Sequence, residues 1–157
     1  MGPVKAEQRI VLVAEDNDDD VETLKLALRR RHMEPLCRFV YNGEEAIAYM
    51  RGKAPFCDRA AHPFPAVLVL DLNLPKVDGF GVLEWMGKAP KCESIKVVVW
   101  SGCHYGEQEN RARNAGAEWF VKKDVGGPGL TELLALICDI PPSGSPEVEE
   151  KDGVAVV

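Results

Sequence analysis

The stretch Ala66-Val67-Leu68-Val69-Leu70-Asp71 decides the fold, because an unbroken apolar run ends there in a carboxylate. Such a run is typical of a strand that is buried on both faces of a parallel sheet. Open α/β sheets bind ligands at the carboxyl edge of their strands, which is where Asp71 would stand. Aspartate also starts turns frequently, so this stretch alone leaves a ligand site and a simple turn as equal alternatives.

The composition indicates one globular domain with an apolar core. The chain has 157 residues, of which 46% are hydrophobic and 28% are charged, as is usual for such a domain. A net charge of −6 argues against nucleic acid as a partner, because the phosphate backbone attracts clustered lysine and arginine. The five cysteines include no C-x-x-C pair, which favours reduced thiols. Because no apolar run reaches membrane-spanning length, we expect a cytoplasmic protein without a membrane partner.

Apolar strand patterns alternate along the chain with helical patterns. The predicted strands are 9–14, 36–41, 66–70, 95–100 and 118–122, and the predicted helices are 18–32, 44–50, 79–86, 106–115 and 130–139. Strands that alternate with helices form a doubly wound parallel sheet. Short, right-handed connections then favour a five-stranded, flavodoxin-like (βα)5 α/β fold with strand order 2-1-3-4-5.

The chain divides into a lead, one folded domain and a tail. Residues 1–8 form a short polar lead, and residues 9–140 form the domain. Residues 141–157 are acidic and rich in Gly and Pro, a composition that predicts a disordered tail.

Two polar segments inside the domain have a structural interpretation. Residues 18–20 are all aspartate and fit the solvated first turn of a helix, where acids complement the helix dipole. Residues 51–65 form a long Pro-rich connection, a kind of loop that is usually functional or partly disordered. We expect His62, within that connection, to be a surface residue rather than a ligand.

Four of the predicted strands are followed directly by polar residues: Glu15 and Asp16, Asp71, Ser101, and Lys123. The carboxyl ends of parallel strands meet at one edge of the sheet, so we expect these residues to lie at that edge. Carboxylates placed this close repel one another and would not be assembled for stability alone. A hard divalent cation relieves the repulsion, and Mg²⁺ suits a site with few carboxylates, water and a phosphate. Asp71, between a cation and an ammonium, suits a nucleophile that attacks a phosphoryl group.

Five short motifs occur in a fixed order along the domain. They are Val13-Ala14-Glu15-Asp16, Leu70-Asp71-Leu72-Asn73-Leu74-Pro75, Asp78-Gly79, Val99-Trp100-Ser101-Gly102 and Phe120-Val121-Lys122-Lys123. In this order and spacing they resemble the receiver domain of two-component response regulators, over about residues 9–140.

The resemblance implies roles for the acidic residues. Asp71 corresponds to the phospho-acceptor. Asp16 corresponds to a direct Mg²⁺ ligand, Glu15 to a ligand through water, and Asn73 to a ligand through its carbonyl group.

The resemblance also implies a switch. Ser101 corresponds to the hydroxyl that moves toward the phosphate, Lys123 to the lysine that binds the phosphate, and Phe120 to the aromatic side chain that changes rotamer. Asn73 and Cys103 flank the path of attacking water and would tune the lifetime of the phosphate.

Two residues depart from the family pattern. Asp124 follows Lys123, where the family usually has a proline in a cis peptide bond. A cis bond before a non-proline residue costs about 2.5–4 kcal/mol, so we expect a trans bond and a different loop shape, which puts in doubt the usual partner surface of that loop. Trp100 is bulkier than the aliphatic residue usual before the hydroxyl.

The resemblance implies a single-domain response regulator that takes a phosphoryl group from a sensor histidine kinase. It is similar to the stand-alone regulators paired with bacterial phytochrome kinases, and its only chemistry would be its own phosphorylation and dephosphorylation. Relatives that dimerise use the strand 4-5 and last-helix face, and the apolar last helix here would permit such a homodimer.

Three other functions are open. A relay could pass the phosphate on to a histidine phosphotransferase. A small-molecule phosphohydrolase would need an acid two residues after the nucleophile, where Asn73 stands. A scaffold that acts without phosphate would not need every chemical position to be filled.

Overall fold

The sheet has five parallel strands in the order β2-β1-β3-β4-β5, which confirms the predicted doubly wound fold. The computed structural model describes residues 9–102, 106–124 and 128–139. The strands are β1 (Val11–Ala14), β2 (Cys37–Val40), β3 (Val67–Leu70), β4 (Lys96–Ser101) and β5 (Trp119–Lys122). The helices are α1 (Asp18–Arg30), α2 (Gly43–Arg51), α3 (Gly79–Gly87), α4 (Gly106–Asn114) and α5 (Pro128–Asp139). The lead and the tail lie outside the described residues.

Strands β1 and β3 are neighbours, and every residue in both is buried. Their register pairs Ala14 with Leu70, and the Asp71 amide donates to the Ala14 carbonyl at 3.1 Å. The residues that follow these strands therefore stand side by side at the carboxyl edge of the sheet.

The core has two layers, one on each face of the sheet. On one face, Leu12 and Leu68 contact apolar side chains of α2, α3 and α4. On the other face, Val13 and Val69 contact α1 and α5. Alternate residues of each strand point to opposite faces, so continuous apolar runs serve both layers.

Side-chain caps fix the starts of three helices near the carboxyl edge. Asn17, Asn42 and Asp78 accept hydrogen bonds from backbone amides in the first turns of α1, α2 and α3, which satisfies donors that the helix leaves unpaired. Gly79, at the start of α3, lies so close to β3 that a Cβ atom would be 2.6 Å from the Asp71 carbonyl oxygen. Only glycine fits there without a shift of the backbone.

The connection 51–65 packs against α2. The Tyr49 hydroxyl donates to the Pro63 carbonyl at 2.9 Å, and the Arg59 guanidinium donates to the carbonyls of Met50 and His62. The His62 ring is half-buried and meets the Tyr49 ring edge-on. His62 thus lies in the connection as expected, with one side of its ring packed against aromatic side chains.

Most element boundaries differ from the predicted ones by one or two residues, and two of these differences have a local cause. Residues 34–36 form a short 3₁₀ helix before β2, so the strand begins at Cys37, one residue later than predicted. Helix α1 ends at Arg30, because His32 has a φ of 58°, which the right-handed helix does not allow. In the described parts of the chain, no helix combines the length and the apolar character needed to cross a bilayer.

Candidate functional site

Three acidic side chains meet at the carboxyl edge of β1 and β3. Glu15, Asp16 and Asp71 each place a carboxylate oxygen within 4.8 Å of the others. Glu15 is 1% exposed and Asp71 is 5% exposed, whereas Asp16 is open to solvent. The structure thus brings together the acids that the sequence placed at this edge, with two of them buried.

Asp71 is held through both carboxylate oxygens. Oδ2 accepts a hydrogen bond from Lys123 Nζ at 3.0 Å, and Oδ1 accepts one from the Asn73 backbone amide at 3.2 Å. The loop that carries Asn73 is fixed in turn, because the Gly79 amide donates to the Leu72 carbonyl at 3.0 Å. The carboxylate therefore has one orientation, set by strand β5 on one side and by its own loop on the other.

Glu15 is the most deeply buried acid of the site. Its Oε2 accepts a hydrogen bond from the Asn17 backbone amide at 3.0 Å, and its Oε1 forms an ion pair with Lys123. Burial raises the pKa of Glu15 to about 7, and the charge of Asp71 acts in the same direction, against the Lys123 and Asn17 hydrogen bonds. Since burial penalises the charged form, this carboxylate is costly for the fold.

Lys123 lies at the centre of the acids. Its ammonium contacts Glu15, Asp71 and also Asp20, whose Oδ2 is 3.1 Å from Nζ. Burial lowers the pKa of Lys123, but the carboxylates of Glu15 and Asp71 outweigh it, so the net shift is upward. The side chain therefore stays a cation at physiological pH. The same Nζ lies 5.2 Å from the centre of the Trp100 ring.

Asp20 is the site residue that sequence reasoning missed. It was interpreted with Asp18 and Asp19 as a solvated helix start, but its carboxylate pairs with Lys123. The signal was present in the helical spacing, because Asp20 precedes the buried Leu24 by four residues and the buried Leu28 by eight. Side chains at this spacing share one helix face, so Asp20 stands on the inner face of α1.

Ser101 and Phe120 flank the lysine on strands β4 and β5. Ser101 is fully buried at the end of β4, and its carbonyl accepts the Lys123 backbone amide at 2.9 Å. Phe120 is half-buried and lines a cavity of about 250 Å³ between α4 and α5. Cys103 lies outside the described residues.

Asp124 caps α5. Its Oδ1 accepts the Gly129 backbone amide at 2.7 Å, which satisfies one of the unpaired donors of the helix start. In the described parts of the chain the cis peptide bond is Ala54–Pro55, so the bond between Lys123 and Asp124 is trans, as expected. The residue that stands where the family usually has proline thus accepts a hydrogen bond from the first turn of α5.

The donor set of this edge fits a hard divalent cation. Carboxylate oxygens are the ligands that Mg²⁺ prefers, and Mg²⁺ keeps several waters, which an exposed carboxylate such as Asp16 accommodates. Glu15 has both oxygens engaged, by Asn17 and by Lys123, which suits contact through water. Asn73 is exposed on the loop after Asp71, beside the acids. The roles of these residues stay predictions.

Comparison with known proteins gives concordant results. The sequence profile of the response regulator receiver domain matches residues 11–135. A probable methanogenesis regulatory protein, FilR2 of Methanothrix harundinacea, is 30% identical over 57% of this chain. This chain covers 56% of that protein, a little over half of its length.

Two solved structures cover most of both chains. The response regulator RPA3017, in red light signalling of R. palustris, has a TM-score of 0.76 at 27% identity and covers 89% of this chain and 99% of that one. The bacteriophytochrome response regulator AtBRR has a TM-score of 0.72 at 28% identity, with coverage of 92% and 100%.

Receiver domains are signalling modules of two-component systems rather than typical enzymes, and they bind Mg²⁺ through acidic residues. Glu15, Asp16 and Asp71 form an acidic group that could hold such an ion. The structural neighbours include phytochrome response regulators, in agreement with the resemblance found in the sequence. The fold, the acidic edge and the match to residues 11–135 lead to one conclusion: this chain belongs to the response regulator receiver domain family.

Proposed function

We propose that this chain is a response regulator that accepts a phosphoryl group on Asp71 from the phosphohistidine of a sensor histidine kinase. The observation that carries the proposal is the position of Asp71, a buried carboxylate bonded to Lys123 on one side and grouped with Glu15 and Asp16 on the other. Like charges are held at this edge at a cost to the fold, which argues for a chemical purpose.

In the transfer, a carboxylate oxygen of Asp71 forms a bond to phosphorus while the bond from phosphorus to the histidine nitrogen breaks. The electron pair of the broken bond stays on the imidazole. A carboxylate needs no general base to act as the nucleophile. Later, a water oxygen bonds to phosphorus as the bond from phosphorus to the Asp71 oxygen breaks, which releases inorganic phosphate and returns Asp71 to its carboxylate form.

Charge on the transferring group is neutralised from two sides. Lys123 reaches Asp71 Oδ2 at 3.0 Å and would donate to a phosphoryl oxygen there. Asp16 would hold Mg²⁺ directly, Asp71 would share it, and Glu15 and the Asn73 carbonyl would complete the set with water. When bound, the ion supplies Lewis-acid stabilisation of the phosphoryl oxygens.

The phosphorylated state would be read out through Ser101 and Phe120. Ser101 stands one strand from the acceptor and would donate its hydroxyl to the phosphoryl group. The half-buried Phe120 beside its cavity has space for a second rotamer. A ligand shifts such an equilibrium only by its differential affinity for the two states, and the new Ser101 contact would supply that difference.

The kinase would belong to the bacterial phytochrome class. Support comes from the similarity to RPA3017, a regulator in red light signalling, and to the bacteriophytochrome regulator AtBRR. Tuning of the phosphate lifetime by Asn73 and Cys103, and a homodimer through the β4, β5 and α5 face, are further parts of the proposal.

The test is phosphorylation of wild-type protein and Asp71→Asn with acetyl phosphate and Mg²⁺, followed by intact-protein mass spectrometry and tryptophan fluorescence. We expect a phosphate adduct and a change in emission for wild type alone, since Trp100 adjoins Ser101. An adduct that persists in Asp71→Asn would place the acceptor elsewhere. No adduct in wild type, from either acetyl phosphate or a phosphorylated kinase, would overturn the proposal.

A further inference from the structure

Three carboxylates surround the Lys123 ammonium at rest, one of them (Asp71) as a hydrogen-bond acceptor and the other two as ion-pair partners. A lysine ammonium has three donors and no acceptor. Glu15, Asp71 at 3.0 Å and Asp20 at 3.1 Å each place a carboxylate oxygen at Nζ. A phosphoryl oxygen that is to receive a bond from Lys123 therefore competes with these carboxylates for the ammonium.

The three carboxylates differ in what they would lose. Without Lys123, Glu15 would be an uncompensated buried charge, which is strongly destabilising. Asp71 carries the phosphoryl group itself and cannot leave. The Asp20 side chain is 26% exposed, so water can take the place of the ammonium at little cost. Asp20 is thus the partner that is released most easily.

We propose that Asp20 is the resting-state partner that Lys123 exchanges for the phosphoryl group. It is a positioning residue: it holds the ammonium at the mouth of the site and competes with the incoming anion. The inference rests on the proposed function of Asp71 and adds a competitor that sets how tightly the site holds a phosphoryl group. Removing the Asp20 charge should therefore remove one carboxylate that competes with the anion for the Lys123 ammonium.

The first turn of α1 contains its own control. Asp19 is the neighbouring residue, carries the same charge and is exposed, and in the described residues its carboxylate makes no ion pair with Lys123. Substitution of Asp19 by Asn changes the net charge as much as substitution of Asp20. The Asn17 cap bonds the backbone amide of Asp20 at 2.9 Å, so a change of the Asp20 side chain leaves that bond in place.

The experiment measures binding of beryllium trifluoride, a tetrahedral phosphoryl mimic that bonds to a carboxylate oxygen. Wild type, Asp20→Asn, Asp19→Asn and Asp71→Asn are titrated at saturating Mg²⁺, with tryptophan fluorescence and backbone NMR as readouts. We expect Asp20→Asn to bind about three- to tenfold more tightly than Asp19→Asn, the size of effect for one partly exposed ion pair with a freed donor. Mg²⁺ affinity, titrated separately, should fall equally in both variants.

Equal affinities for the mimic in Asp20→Asn and Asp19→Asn, or weaker binding in Asp20→Asn, would overturn this inference and leave the proposed function intact. Failure of wild type to bind the mimic, or equal binding by Asp71→Asn, would overturn the proposed function and this inference with it. Asp20→Ser, a second variant with a short polar side chain, should tighten binding in the same direction, so the test does not depend on the folding of one protein.

Discussion

The site has a buried half and an exposed half built from the same residue types. Glu15 and Asp71 are almost fully buried, whereas Asp16 is open to solvent and Asp20 is partly so. In the buried half each carboxylate needs a fixed partner, because an unpaired charge there is expensive. In the exposed half water can replace any partner. The buried half therefore fixes geometry, and the exposed half exchanges ligands.

Lys123→Met should produce the largest effect, because it removes the cation from the buried half. Glu15 and Asp71 would then be buried carboxylates without their ammonium, and we expect a loss of about 3–5 kcal/mol in the free energy of unfolding. Asp20→Asn, which breaks the exposed contact of the same ammonium, should cost less than about 1 kcal/mol. Urea unfolding in the absence of metal measures both. Equal losses of unfolding free energy in the two variants would show that burial does not make the Lys123 contacts with Glu15 and Asp71 more important for stability than its contact with Asp20.

Gly79→Ala tests the packing beneath the buried half. The new Cβ would lie 2.6 Å from both the Asp71 carbonyl oxygen and the Leu72 Cα atom, and backbone atoms cannot move aside cheaply. We expect a loss of about 1–3 kcal/mol in the free energy of unfolding.

Gly87→Ala is the matched control at the other end of α3. A Cβ atom at Gly87 would meet nothing within 4 Å. We expect no loss there and a gain of up to about 1 kcal/mol, because alanine is the better helix former. Two variants of equal stability in urea unfolding would contradict the close approach at Gly79.

The strands and the position of the buried carboxylates were predictable from the sequence, for a physical reason. The apolar runs that end at Ala14 and Leu70 determine both the strands and the edge where Glu15 and Asp71 meet, because parallel strands put their carboxyl ends together. The pairing of Asp20 with Lys123 was missed because acids in a first helical turn have a sufficient local explanation.

The side chain that caps α5 was also open in the sequence. The Gly129 amide donates to Asp124, and nothing in the pattern of residues 118–124 indicates that cap. A trans bond could be expected from the cost of a cis bond before a residue other than proline. The hydrogen bond between Asp124 and Gly129 could not be expected in the same way, because it joins residues on either side of a connection whose geometry the residue pattern does not determine.

Glu15→Gln tests how much stability the protein loses by burying the Glu15 charge. Burial raises the pKa of Glu15 from 4.5 to about 7, so without metal the wild type loses stability as pH rises from 4.5 to 7 and regains none above that. The amide carries no charge. We therefore expect Glu15→Gln to be more stable by about 1–2 kcal/mol at pH 8, with the gap closing near pH 4.5.

The measurement is urea unfolding in EDTA at both pH values, with Glu44→Gln as the control. The Glu44 side chain is 64% exposed, and its substitution should change stability by less than about 0.5 kcal/mol. Mg²⁺ should reverse the order, since the wild type keeps the carboxylate that contributes to binding. A wild type that is the more stable protein at pH 8 in EDTA would mean that the Lys123 ion pair outweighs burial.

Asp124→Ala should have the smallest effect. It tests whether the Asp124 cap helps to orient Lys123 toward the buried carboxylates. Loss of the cap on the Gly129 amide should cost about 0.5–2 kcal/mol of stability, whereas Asp124→Asn keeps an acceptor and should cost a few tenths. Because the Lys123 amide is fixed separately by the Ser101 carbonyl, beryllium trifluoride affinity should change less than twofold in both variants. A tenfold loss of affinity in Asp124→Ala alone would instead make the cap, in the position where the family usually has proline, the element that aims Lys123 at Asp71.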